Sequence, residues 1–485
     1  MAGVENVTSV AKPEADTTVP SSSTMSETAT KDARRAARLE KRKQGHRTHT
    51  IPIPSPPRAP TPPPRRMIPV TKRPIPRPTT LTASATPLRS LTIMTYNILA
   101  QCLCRRELYP YCGKNDLKGK TRFPMIIEEI TKRHRPDIAC LQEVDHFDDL
   151  LAPELQSAGY DYEYLKKNPE KEFGHGLCIL WKKEMFSKHK YQSIFFDDSP
   201  LTHPTPVTPV THNIGQLLAL KFLLPSAPAA HGGVPGVVIT NSHLYWRPRA
   251  QYEKLRQAYV LLEEVVRFKR NIEEEEQPYP SERPTAGDSL RSWPIFLCGD
   301  WNTSPEDGLY RCLTKQPLTA DQRAKLEPTN NSEDSSDAGD EPILPPVSEA
   351  VTNAKPVENP VPTPVLVSHI SNLPRLHSCY STYRETDENH PVNPDWTEGD
   401  LWEGEPTYTN FSTWKGTLDY IFVADESAKS STGGAESDST QRRIPTAAQV
   451  SKVLDIPHAQ YLAPGLPNPH FPSDHVCLMA ELKLY

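Results

Sequence analysis

The chain has 485 residues, a formal net charge of −5, 36% hydrophobic residues and 52 prolines. Length alone allows about three domains, but so much proline with so little apolar side chain points to one large folded domain plus disordered segments. No run of about 18 apolar residues exists to span a membrane as a helix, and the start Met1-Ala2-Gly3-Val4-Glu5 lacks the charge and apolar stretch of a secretory signal.

Residues 1–90 read as a disordered tail. They hold 16 Lys/Arg against 6 Asp/Glu, whereas the remaining 395 residues hold 39 against 54. A basic arm on an acidic body suits a polyanion or an acidic partner. Residues 31–47 (KDARRAARLEKRKQGHR) read as a short basic helix, and residues 51–90 carry 13 prolines, the composition of a polyproline tether. RNA docking, nuclear import and a solvated arm with no partner all stay open for this segment. Acidic residues within the first 16 positions argue against a mitochondrial transit peptide. The nine cysteines show no repeated Cys-x-x-Cys spacing. Reduced thiols in the cytoplasm or nucleus, nucleolus included, are therefore expected, and secretion is not.

From residue 91 the pattern becomes one of strands alternating with helices, an α/β fold. Residues 91–96 (LTIMTY) read as a strand ending at Asn97. Phe123, Ile126, Ile127 and Ile130 recur at helical spacing until Arg135-Pro136 ends the helix. Residues 137–141 (DIACL) form a strand that ends at Glu143, and 176–181, 215–224 and 237–240 read as further strands. A long amphipathic helix over 249–270 places Tyr252, Leu255, Tyr259, Leu262 and Val266 on one face, which is core packing. Residues 293–298 (WPIFLC) form a strand ending at Asp300, and 418–423 (LDYIFV) another. Segments 273–291, 315–374 and 425–443 interrupt the pattern. They cannot bury enough apolar area to offset the entropy of ordering, and read as mostly disordered surface insertions.

Four short motifs collect polar residues at strand ends: Tyr96-Asn97-Ile98-Leu99, Leu141-Gln142-Glu143-Val144, Gly299-Asp300-Trp301-Asn302 and Ser473-Asp474-His475. Singly, each has a bland reading, since Gly-Asp-x-Asn is a turn composition and most histidines are satisfied core or surface groups. Jointly they supply hard oxygens, amides and an imidazole where sheet folds build sites, a set suited to Mg²⁺ and phosphodiester hydrolysis. Glu143 is the leading metal ligand, with Asn97 beside it to bind the phosphate or a metal-bound water. Asp300 would orient or deprotonate the attacking water or hold a second metal; one-metal and two-metal schemes both stay open. Asn302, two residues on and on the same side of an extended strand end, would hydrogen-bond the scissile phosphate. His475 needs a carboxylate to fix its tautomer, and Asp474 adjoins it in sequence. His243, just past the strand 237–240, is a second donor to phosphate.

Six motifs in one order carry a resemblance to a known family. They are Met94-Thr95-Tyr96-Asn97-Ile98-Leu99-Ala100, Leu141-Gln142-Glu143-Val144, Asn241-Ser242-His243-Leu244-Tyr245-Trp246-Arg247-Pro248, Gly299-Asp300-Trp301-Asn302, Lys415-Gly416-Thr417-Leu418-Asp419-Tyr420-Ile421-Phe422 and Pro472-Ser473-Asp474-His475. Over about 91–485 the chain resembles the endonuclease/exonuclease/phosphatase superfamily, and within it the deadenylase branch with the Angel proteins and fungal Ngl-type RNA exonucleases. The resemblance implies a deoxyribonuclease-like, four-layered α/β sandwich with two central mixed sheets, its catalytic domain starting at residue 91. It implies Asp419 as the partner of His475, a metal set drawn from Glu143, Asn97, Asp300 and Asp474, Trp414 as a base-stacking aromatic, and Trp246 and Pro248 as a pocket wall. The expected activity is 3′→5′ release of nucleoside 5′-monophosphates from single-stranded RNA, poly(A) or rRNA-precursor 3′ ends, with Mg²⁺ and with Mn²⁺ able to substitute. An Angel-like RNA 2′,3′-cyclic phosphatase and a catalytically silent RNA-binding adaptor are the alternatives; inositol-phosphate phosphatases fall behind because Gly416-Thr417-Leu418-Asp419-Tyr420 replaces their Pro-Ala-Trp-x-Asp-Arg. No 20–29-residue repeat precedes residue 91, so docking through leucine-rich repeats is not expected, and the protein is expected to be a monomer.

Overall fold

Strands that are apolar at consecutive positions must be covered on both faces. Ile138-Ala139-Cys140-Leu141, Ile295-Phe296-Leu297-Cys298 and Tyr420-Ile421-Phe422-Val423 are all buried. The computed structural model describes residues 60–70, 86–169, 174–199, 201, 210–223, 234–276, 291–328, 360–385, 404–425 and 446–485. Strands β1 (Met67–Pro69), β2 (Arg89–Asn97), β3 (Ile138–Val144), β4 (Tyr160–Lys166) and β5 (Gly176–Lys182) begin one sheet. Strands β6 (Phe186–Phe195), β7 (Ile214–Phe222), β8 (Gly236–His243), β9 (Ile295–Asp300) and β10 (Arg375–Ser378) begin a second. After a small hairpin of β11 (Asn410–Phe411) and β12 (Lys415–Gly416), β13 (Asp419–Asp425) joins the second sheet, and β14 (Ala448–Leu454) and β15 (Leu478–Leu484) return to the first.

The strand orders are β1-β14-β15-β2-β3-β5-β4 and β10-β13-β9-β8-β7-β6. Both sheets are mixed: β2 pairs β3 in parallel, β8 pairs β9 in parallel, and their other neighbours are antiparallel. The two-residue period sorts side chains into layers. Ile93, Cys140, Ile179 and Ala480 of the first sheet meet Leu218, Ile239, Phe296 and Ile421 of the second between the sheets. Alternate residues point outward. On the first sheet Met94, Leu141 and Leu180 pack under Phe123, Ile126 and Ile130 of helix Gly119–Glu128 and its π-helical continuation Glu129–His134. On the second, Leu217, Val238, Leu297 and Phe422 pack under helices Gln251–Glu275 and Thr363–Asn372. Each fully buried Leu or Ile in these layers contributes about 1.5–3 kcal/mol. Helix, sheet, sheet and helix make the four-layered sandwich the resemblance implied. Tyr252, Leu255, Tyr259, Leu262 and Val266 are buried, as their helical stripe required.

Two sequence expectations change. The folded part starts before residue 91: β1 pairs antiparallel with β14, and Arg65 reaches between the layers. Its guanidinium donates to Asp455 O at 2.6 Å and Cys477 O at 2.7 Å and lies 3.8 Å from the Glu129 carboxylate. Proline blocks a ladder only where an amide must donate, and at the sheet edge Pro69 escapes that demand. The segment 315–374 likewise contributes helices Ala320–Lys325 and Thr363–Asn372, the first started by a Thr319/Gln322 capping box. Residues 1–59, with the basic stretch 31–47, and the centres of all three expected insertions lie outside the described residues. Among the described residues no helix is long and apolar enough to cross a membrane.

Candidate active site

The parity that buries apolar residues between the sheets also builds the polar rim. Ile93 and Phe296 face inward, so Asn97 and Asp300, an even number of residues further along β2 and β9, face the same inter-sheet edge. By the same count His243 on β8 and Asp419 on β13 do so too. Registers bring them together, since His243 and Asp419 are the Cα partners of Asp300 on its two sides. A Cβ at Gly299 would sit 2.0 Å from the Ser242 carbonyl oxygen, so this close strand approach requires the glycine of the Gly-Asp motif. Beneath the rim, Gln142 donates to Asn241 Oδ1 at 2.8 Å and Asn241 to Leu141 O at 2.9 Å, which ties one sheet to the other.

Glu143 breaks the parity. Ala139 and Leu141 face outward, and simple alternation would send Glu143 out with them. The β3–β5 register instead shifts between Leu141 and Val144, and Glu143 has φ of 56°. A bulge with one left-handed residue re-aims a side chain, and here Glu143 turns toward the site. Its Oε2 accepts from Ala100 N at 3.0 Å and its Oε1 from Asn97 Nδ2 at 3.2 Å. The same Asn97 nitrogen donates to Asp300 Oδ2 at 3.0 Å, so one amide spans both carboxylates.

On the other side of Asp300, His475 and Asp419 pair through Nδ1 and Oδ2 at 2.7 Å. His475 Nε2 lies 3.8 Å, and His243 Nε2 3.6 Å, from Asp300 Oδ2. Asp419 rather than the adjacent Asp474 orients the imidazole, because Asp474 Oδ2 is taken by the Tyr109 hydroxyl at 2.9 Å. Burial alone would depress the His475 pKa. The charges of Asp419, Asp474 and Asp300 and the Asp419 hydrogen bond outweigh it and hold the imidazole well above its usual range. His243 goes the other way, down to about 3, from burial first and then Lys167 and His475. Charge and burial thus push the two histidines in opposite directions.

Asn302 departs from its expected geometry. It lies past the strand end with φ of 47°, so extended alternation does not apply. Its amide donates to Leu244 O at 2.9 Å and its backbone N–H to Asp300 Oδ1 at 3.0 Å, which locks the loop against the carboxylate. Trp414 is 45% exposed at the turn of the β11–β12 hairpin, and a Cβ at Gly416 would meet its ring at 2.2 Å. Asn410 of that hairpin bridges to His475, which joins the hairpin to the strand segment of the site. Trp246 is half-buried with Arg247 5.6 Å from its ring, and Pro248 is exposed on the segment leading into helix Gln251–Glu275.

Sequence reasoning missed several supports. Thr409 Oγ1 accepts from Asp419 N at 3.1 Å, and Lys254, 2% exposed, donates to Asn302 O at 2.6 Å. Arg122, fully buried, donates to Pro472 O at 2.5 Å and to Ile98 O at 2.5 Å, joining the loop after Asn97 to the loop before Asp474. A buried arginine inside an apolar helical stripe was the one signal available for it.

The donor set fits a divalent cation. Burial, and then the charge of Asp474, push the Glu143 carboxyl up to about 7, as expected where carboxylates converge with too little positive charge. Among the described residues of this edge, Asp300, Asp419 and His475 bring ligating atoms within 4.8 Å of one another, and Glu143, which feels the charge of Asp474, stands across the Asn97 amide from Asp300. Glu143 and Asp474 would add carboxylates to hold the ion.

Comparison with known proteins identifies the family. The model of the Endonuclease/Exonuclease/phosphatase family matches residues 94–475, from the strand that carries Asn97 to His475 itself. A probable RNA exonuclease of Schizosaccharomyces pombe is 28% identical over 427 residues, covering 81% of this chain and 76% of its own. RNA exonuclease NGL2 of Saccharomyces cerevisiae is 30% identical over 357 residues, covering 68% of this chain and 65% of its own. The crystal structure of ANGEL2, a 2′,3′-cyclic phosphatase, superposes with a TM-score of 0.53 at 23% identity, covering 86% of this chain and 97% of that one, a likeness of fold. The chain belongs to the endonuclease/exonuclease/phosphatase family, on the branch that holds the fungal RNA exonucleases and the Angel proteins, and is a hydrolase of that family.

Proposed function

We propose that the protein is a divalent-metal-dependent 3′→5′ exoribonuclease that releases nucleoside 5′-monophosphates from single-stranded RNA. The observation that supports this reading is the buried Asp300–His475–Asp419 cluster, to which the β11–β12 hairpin that carries exposed Trp414 is joined by the Asn410–His475 bridge. An aromatic face beside a phosphate-handling site suits a base stacked next to the scissile bond, and stacking tolerates every base.

Asp300, oriented by Asn97 and the Asn302 N–H, takes the proton of the attacking water. Water oxygen bonds to phosphorus, the bond to the 3′-oxygen of the preceding nucleotide breaks, and that oxygen picks up a proton from solvent. Cationic His475, held by Asp419, stabilises the extra negative charge at the phosphoryl group. Neutral His243 offers an N–H to a phosphoryl oxygen. A bound Mg²⁺, or Mn²⁺ in its place, supplies Lewis-acid stabilisation of the phosphate charge at Glu143 and Asp474. We read the partner as single-stranded RNA and the working unit as a monomer.

Purified protein with Mg²⁺ and 3′-hydroxyl A₂₀, U₂₀ and a cyclic-phosphate-ended oligonucleotide tests this. Shortening of A₂₀ or U₂₀ one nucleotide at a time is expected. Opening of the cyclic end with no shortening would replace the exonuclease reading by an Angel-type phosphatase.

A further inference from the structure

Between β2 and helix Gly119–Glu128 the chain makes a long loop, residues 99–118, with a small core of its own formed by Leu99, Tyr109, Cys112 and Leu117. The loop is pinned to the segment that leads into His475. Tyr111 donates to Leu466 O at 2.6 Å, and the Cys112 thiol faces Pro467 O at 2.9 Å. Those two contacts meet backbone carbonyls. The third meets a site carboxylate: the Tyr109 hydroxyl donates to Asp474 Oδ2 at 2.9 Å, across 365 residues of sequence.

We infer that Tyr109 is a positioning residue, whose hydroxyl sets the orientation of the Asp474 carboxylate. The inference rests on the proposed function only in taking Asp474 as part of the cation-holding set. The ring of Tyr109 is 6% exposed and meets Tyr111 edge-to-face, with centroids 6.4 Å apart, so the donor has a fixed origin. The other Asp474 oxygen has the weaker tie, with Ser473 Oγ at 3.4 Å. Ser473 Oγ itself donates to Asn97 O at 2.7 Å and accepts from His475 N at 3.2 Å, so it is already committed. Rotation of the Asp474 carboxylate about its last bond is therefore restrained mainly by Tyr109. Partners that orient ligating carboxylates typically change metal affinity or activity by about 10- to 100-fold when removed.

Tyr109→Phe keeps the ring and its packing and removes only the donor. Mn²⁺ binding by isothermal titration needs no substrate, so it reads the site independently of the RNA activity. The expected result is a roughly 10- to 100-fold weaker Mn²⁺ affinity with an unchanged melting temperature in chelator. Tyr111→Phe, which loses a bond to a backbone carbonyl, is expected to bind Mn²⁺ as the wild type does. In an Asp474→Asn background the Tyr109→Phe change is expected to add nothing. Wild-type affinity in Tyr109→Phe, an equal loss in Tyr111→Phe, or a full additional loss on top of Asp474→Asn would each overturn the inference. Failure of the wild type to cleave RNA while these binding results hold would sink the proposed function and leave Tyr109 in place.

Discussion

Glu143 shows how much a single backbone torsion decides. Its left-handed φ turns a side chain that strand alternation would send outward into the site, where Ala100 N and Asn97 fix it. Glu143→Gln is expected to reduce hydrolysis in Mg²⁺ to below roughly a tenth of wild type, because a ligating charge is lost while the shape stays. A second readout is stability in chelator. The folded-state pKa of Glu143 is raised to about 7, so the folded protein holds this proton more tightly than the unfolded chain. The stabilisation from that proton is full below the unfolded carboxylate range and disappears as pH rises through about 7. Urea melts should show Glu143→Gln gaining on wild type between pH 5 and 8; parallel curves would contradict it. For His475→Ala and Asp419→Asn, each single loss is expected to be about 10²- to 10⁴-fold and the double mutant little worse, since the pair acts as a unit. Additive losses in kcat would show that Asp419 does not act through His475. Trp414→Ala is expected to cost about 1–3 kcal/mol in kcat/KM on RNA with unchanged metal affinity. An equal loss on a small diester without a base would make it a packing residue. Asn97, Asp300 and His475 were legible because each adjoins an apolar run. Tyr109 and Arg122 were not, since their partners Asp474 and Pro472 lie 365 and 350 residues away and no local pattern encodes such pairings.

Elements were legible in proportion to their periodicity. The stripe of helix Gln251–Glu275 and the apolar runs of β2, β3, β9 and β13 gave their positions to within a few residues. Strand β1, three residues among prolines, has no period to read, and only its pairing with β14 makes it a strand. This changes where truncation becomes harmful. Deletion of residues 1–58 should leave the melting temperature and cleavage of short oligonucleotides near wild type. Deletion through residue 85 removes β1 and Arg65, so the Asp455 and Cys477 carbonyls lose their donor while Glu129 keeps His134 and the Cys477 thiol. Arg65→Ala alone is expected to destabilise the fold by about 1–3 kcal/mol, because those two carbonyls lose their charged donor. A denaturant midpoint unchanged by Arg65→Ala would show that the segment is not integral.

At the scale of the molecule, two sheets present their inward-facing polar residues at one edge, so that four motifs spread over almost 400 residues share one site. The fold class followed from apolar runs alternating with helical stripes. The site followed from polar residues at the ends of those runs, and its fine orientation came from the bulge, the Asn302 turn and the loop 99–118. On the proposed reading, this edge hydrolyses the terminal phosphodiester of RNA by attack of water at phosphorus. Digestion of A₂₀ in ¹⁸O-enriched water with Mg²⁺, followed by mass spectrometry of the products, tests it most directly. Adenosine 5′-monophosphate carrying one ¹⁸O in its phosphate is expected. Nucleoside 3′-phosphates, inorganic phosphate as the sole product, or 5′-monophosphate without ¹⁸O would contradict it.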